Sequence, residues 1–170
     1  MKFTDIQRLT ESAHYRVNQA WQDLEGTLNR YFDKELTPLN IDPDFQRGHV
    51  WTKKQQIAYV EFKLRGGEGS DIIYFNCPGW MDDFRGPFEL VDGKQRLQAA
   101  RRFINNKIPA FGKYRKEYEG RIPSYCDFIF AINNLKTRKE VLQWYLEMNS
   151  GGTPHTKKEL EKVKLMLEEE

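Results

Sequence analysis

The sequence predicts an α+β fold, a small mixed sheet flanked by helices, and three observations carry that prediction. Runs rich in β-branched and aromatic residues at 71–76, 88–92 and 126–132 read as short strands. Around them, apolar residues recur at three- and four-residue steps, the period of an amphipathic helix. The 170 residues, 39% hydrophobic and 31% charged, suffice for one domain with its own core, and the interspersed helices argue against an all-β barrel.

The elements follow in chain order. Residues 1–37 read as an N-terminal helical segment whose helix, 11–32, stripes Val17, Ala20, Trp21, Leu24 and Leu28 along one side. Pro38 and Asp42-Pro43 then make 34–44 a loop or short extended stretch. Thr52 with Gln55 fits a capping box; it opens a helix with Ile57, Val60 and Leu64 inward, ended by Gly66-Gly67. After the strand at 71–76, residues 77–87 hold Pro78, Gly79, Gly86 and Pro87 and should form an exposed loop. The next strand ends at Asp92 and runs directly into a helix over 93–105 with Leu97, Ala100 and Ile104 inward. Residues 112–124 are an irregular, charged excursion before the strand at 126–132. A helix over 139–148 offers Val141, Leu142, Tyr145 and Leu146 to a core. The run from Asn149 to Pro154 is a loop, and Thr156 with Glu159 forms a second capping box that starts the last helix.

Composition narrows the function classes. No run of 18 uncharged apolar residues is present, and the N-terminus turns polar at once, so a cytoplasmic protein without a membrane span or secretory signal is expected. Cys77 and Cys126 read as reduced thiols. His14, His49 and His155 are far apart and no Cys/His spacing resembles a zinc site, so no structural metal is expected. The net charge of +2 excludes a broad polybasic surface but leaves room for a local patch. Lys94, Arg96, Arg101, Arg102 and Lys107 crowd one helix, which reads either as a solvated face or as an anion-binding one.

Three segments can carry chemistry. At Val91–Arg96 a strand ends, a glycine permits the turn and a helix begins with Lys94, Gln95 and Arg96. The N–H groups and positive dipole end of such a helix attract an anion. Gly93 would let a phosphate approach, and Lys94 and Arg96 would add charge beside it. The plain alternative is a cap closed between Asp92 and Gln95. No Walker, kinase or dinucleotide motif is present. The second segment, Ile41–Trp51, sets Gln46, Arg47 and His49 between Phe45 and Trp51, two candidate core aromatics. The third, Asn149–Thr153, is either a helix stop or a second phosphate or base contact through Asn149, Gly151, Gly152 and Thr153.

Phe45-Gln46-Arg47 with Trp51, Val91-Asp92-Gly93-Lys94-Gln95-Arg96-Leu97 and Asn149–Pro154, in this order, resemble the N-terminal domain of GmrSD-type type IV restriction enzymes. That family's hallmark is Asp-Gly-Gln-Gln-Arg, and its domain is related to ParB and sulfiredoxin. Gly93–Arg96 followed by Ala99-Ala100 also resembles the ParB box, and the likeness spans roughly residues 38–165. Lys94 stands where the family has its first Gln.

The resemblance implies a ParB/sulfiredoxin-like domain that binds and often hydrolyses a nucleotide in restriction, phage defence or related DNA transactions. By the matched motif, Asp92, Gly93, Gln95 and Arg96 line the nucleotide site with Gln46 and Arg47 nearby. In that reading Asp92 orients water or a divalent ion such as magnesium, and Arg96 with Lys94 neutralises phosphate charge. NTP is then the ligand, with DNA and a protein supplying further domains as candidate partners. Two alternatives stay open: a non-enzymatic DNA- or partner-binding module, and a nuclease resting on Asp82-Asp83.

Overall fold

The computed structural model describes residues 1–6, 9, 15–31, 35, 37–46, 48, 50–150 and 157–170. Among them, five strands form one mixed sheet in the order β1-β5-β3-β4-β2. These are β1 (Tyr15–Ala20), β2 (Leu39–Asn40), β3 (Ile72–Asn76), β4 (Phe88–Asp92) and β5 (Asp127–Asn133). The helices are α1 (Leu24–Tyr31), α2 (Lys53–Leu64), α3 (Lys94–Ile104), α4 (Arg138–Ser150) and α5 (Lys157–Glu168). β1 runs antiparallel to β5, β3 parallel to β5 and antiparallel to β4, and β2 parallel to β4. The chain is thus α+β, and no described helix is long and apolar enough to cross a membrane.

Alternation along the strands feeds two cores. Ile73, Phe75, Phe88, Leu90, Phe128, Phe130 and Ile132 meet Trp21, Leu24, Leu28, Tyr59, Val60, Leu97, Ala100 and Phe103 in the main core. Val91, with Tyr74 beside it, packs on the opposite side with Phe45, Val141, Leu142, Trp144, Tyr145 and Val163. The last helix therefore has a partner: it docks on α4 through buried Val163.

Three expectations are corrected. The helix read over 11–32 exists only as α1; Tyr15–Ala20 is an edge strand, and residues 11–14 and 32 lie outside the described residues. Its register, Tyr15↔Ile132 to Ala20↔Asp127, pairs the outer edge of β5, and that long-range ladder overrides the helical spacing of Val17, Ala20 and Trp21. The inner face of α2 is turned from the one read: Gln56, Tyr59, Val60 and Lys63 are buried, while Ile57 and Leu64 pack at its margin. Polar side chains can occupy that face because each has partners. Lys63 Nζ lies 2.6 Å from Asp71 Oδ1, and Gln56 bridges the Trp51 carbonyl and Arg102. Within the loop 77–87, Cys77 and Gly79 are buried rather than exposed.

The start and stop signals of α2 match the structure. Thr52 and Gln55 close their capping box, and Gly66 and Gly67 donate to the Lys63 and Phe62 carbonyls with Gly66 at φ +80°.

One irregularity positions the site. The β3–β4 pairing shifts between Tyr74 and Phe75: Phe75 opposes Leu90, whereas Tyr74 opposes Asp92. Directly paired residues share a face, so an unbulged ladder would put Asp92 on the core side with Leu90. The extra residue turns Asp92 to the side of Tyr74 and out of the main core.

Candidate functional site

A cleft of about 540 Å³ opens where β4 passes into α3. Gln46 and Trp51 line it from the second sequence segment, Val91 to Arg96 from the first, and Asn149 from the end of α4. Segments separated by about 40 and 50 residues thus meet at one place. Arg47, Gly151, Gly152 and Thr153, also expected here, and His49, lie outside the described residues, as does the cap expected at Thr156.

Gly93 is the N-cap of α3, at φ 100° and ψ 8°, a left-handed conformation open to glycine at little cost. The first intrahelical bond runs from Leu97 N–H to Gly93 O at 2.9 Å, so the N–H groups of residues 94–96 precede the helical ladder. The glycine has a second reason that differs from the one expected. A Cβ here would meet Ile73 Cδ1 at 2.5 Å, so close packing on β3 also disfavours a side chain.

The cap between Asp92 and Gln95 does not form. Asp92 Oδ2 instead accepts from Arg96 Nη2 at 2.7 Å, and Arg96 Nη1 donates to the Ser70 carbonyl at 2.9 Å. Gln95 reaches the other way: its Oε1 accepts from Trp51 N–H at 3.2 Å and its Nε2 donates to Gly48 O at 3.2 Å. Gln46 Nε2 donates to the Leu90 carbonyl, which ties the segment before Trp51 to β4. Lys94 is drawn to Asp42 at the margin of the cleft.

The basic face expected along α3 is largely an internal brace. Arg101 holds Glu25 of α1 through Nε at 2.6 Å and Nη2 at 3.1 Å, and Arg102 Nη1 donates to Gln56 of α2 at 2.8 Å. With Arg96 on Asp92 and Lys94 on Asp42, only Lys107 of that group is exposed.

The remaining walls were not read as site residues. Tyr59, Ser70, Tyr145 and Met148 complete the lining. Tyr59 retains 9% of its surface, and its buried hydroxyl has no hydrogen-bond partner among the described residues. Burial holds that phenol well above its ordinary pKa, so it stays protonated as a donor. Nothing local marks Tyr59, because an apolar stripe drawn through 57, 60 and 64 passes it by.

Among the described residues, the cleft offers a helix N-terminus, the Arg96 guanidinium, the Lys94 ammonium, the Asp92 carboxylate, side-chain amides and a half-buried indole. Lys94, Gln95 and Arg96 bring polar groups from α3, and Val91, Tyr145 and Met148 add apolar surface. Among the described residues no group of three or more His, Cys, Asp or Glu side chains comes together. Asp92 is the one carboxylate among the described residues that line the cleft. No family model, curated protein or solved structure matches the chain.

Proposed function

We propose that the chain is a cytoplasmic nucleotide-binding domain of the ParB/sulfiredoxin-like kind. Its ligand is an NTP, hydrolysed slowly, and its setting is a DNA-related process such as restriction, phage defence or phage DNA metabolism. The observation that supports this reading best is the convergence of Gln46, Trp51, Asp92–Arg96 and Asn149 around the N-terminus of α3. Gln46 with Trp51, Asp92–Arg96 and Asn149 come from the three segments that resemble the GmrSD-type N-terminal domain, far apart in sequence yet lining one cleft.

In this reading the phosphate chain lies at the start of α3, where the N–H groups and helix dipole favour negative charge. Arg96 supplies the cation, and Asp92 orients water or a magnesium ion. Calorimetric titration with each of the four NTPs, with and without magnesium, is the test, followed by phosphate release. Saturable NTP binding supports the reading. Absence of binding for all four removes it, and the DNA- or partner-binding module becomes the reading to pursue with labelled duplex.

A further inference from the structure

We infer that Trp51 is the stacking platform for the base of the bound nucleotide, and that Gln95 is its positioning residue; the inference rests on the nucleotide reading of the cleft.

Trp51 sits in an irregular segment, yet its backbone is held from both sides. Its N–H donates to Gln95 of α3 at 3.2 Å, and its carbonyl accepts from Gln56 Nε2 of α2 at 2.9 Å. Gln56 is itself fixed by Arg102 at 2.8 Å, and Gln95 also grips the Gly48 carbonyl at 3.2 Å. The ring is backed by Tyr59, with centroids 5.4 Å apart and planes at 57°. Despite these supports the indole is only half-buried, and it lines the cleft. One side of the ring packs against the main core, and the rest stays open, whereas Trp21 is covered at 0% exposure.

A rigid π-face beside an anion-attracting helix end suits a base joined to a phosphate chain. Val91, Tyr145 and Met148 supply apolar surface in the same cleft. This arrangement also gives the motif's Gln95 a task that needs no contact with the ligand. Its amide has one acceptor and one donor end, and these hold the backbone at Trp51 and at Gly48.

The probes are the four NTPs and inorganic triphosphate, titrated with magnesium into the full chain and into Trp51→Leu and Gln95→Ala, each checked by thermal melting. Leucine keeps apolar volume and removes the π-face; Gln95→Ala leaves the core in place. The parent should bind an NTP more tightly than inorganic triphosphate. Trp51→Leu should lower NTP affinity roughly 5- to 100-fold, the range for loss of one base stack, and leave triphosphate affinity unchanged. Gln95→Ala should shift the same ratio in the same direction. Equal affinity of the parent for NTP and triphosphate overturns the inference while the phosphate site stands. Equal loss of both ligands in folded Trp51→Leu also overturns it, since Trp51 then only supports the cleft. A parent that binds neither ligand overturns the nucleotide reading and this inference together.

Discussion

Arg96 and Asp92 are each other's partners: a guanidinium nitrogen lies 2.7 Å from the carboxylate, four residues apart across the N-terminus of α3. The cation and the anion expected to act on a nucleotide are therefore paired with one another. In the proposed nucleotide site, a phosphate would compete with Asp92 for Arg96. Asp92 is 40% exposed at its side chain, so the pair contributes little to stability, about 0–1 kcal/mol. Asp92→Asn should move the thermal midpoint only slightly and, without magnesium, tighten binding of inorganic triphosphate. The same variant should lose magnesium-dependent phosphate release. Tighter binding with hydrolysis kept would leave Asp92 as a counter-charge only. Arg96→Ala should weaken NTP binding by about 1.5–3 kcal/mol, the scale of hydrogen bonds to charged groups.

Gly93→Ala carries two penalties at once. A left-handed backbone costs a residue with a Cβ about 1–2 kcal/mol, and the new atom would meet Ile73 Cδ1 at 2.5 Å. The expected loss is about 2–4 kcal/mol, seen in chemical denaturation as a lower midpoint with an unchanged slope. An unchanged midpoint would show that α3 does not start on a left-handed residue packed on β3.

The buried Tyr59 hydroxyl has no partner among the described residues, a state that costs about 1–3 kcal/mol. Tyr59→Phe keeps the ring against Trp21 and Trp51 and removes that cost. The ligand-free variant should melt at the same temperature or up to about 12 °C higher, at the ~2–4 °C per kcal/mol expected for this size. If the hydroxyl serves the ligand, NTP affinity falls in the same variant. A lower midpoint would mean that the hydroxyl does have a partner in the folded protein.

Alkaline stability should report Cys126. Burial pushes its thiol up to about 11, with Lys63 pulling weakly the other way. The folded protein then holds this proton at pH values where the unfolded chain has released it, so stability falls as pH rises between about 9 and 11. Cys126→Ala should be less stable at pH 8 through its lost packing and should lose stability less steeply above pH 9. An equal loss of stability from pH 8 to pH 10 in the parent and in Cys126→Ala, read from urea titrations, would show that Cys126 does not contribute.

Much of the frame was legible in the sequence because its signals are local. β-formers mark β3, β4 and β5, the Thr52–Gln55 box and Gly66-Gly67 bound α2, and Gly93 marks the turn into α3. The second and third segments were also recognisable as site candidates, and Gln46, Trp51 and Asn149 do line one cleft with Asp92–Arg96.

What local pattern left undecided was the partner of each group. Tyr15–Ala20 has residues at helical spacing, but the open edge of β5, more than 100 positions away, makes it a strand. Asp92 and Gln95 have the spacing of a cap. The left-handed Gly93 and the one-residue shift opposite Tyr74 send the first to Arg96, and contact with the segment 48–51 takes the second. Arg101 and Arg102 look like a free basic face until α1 and α2 supply Glu25 and Gln56. Periodicity and capping act over a few residues and are written in the chain. The pairing of a charge, an amide or a strand edge depends on what folding brings beside it, and tertiary structure alone decides that.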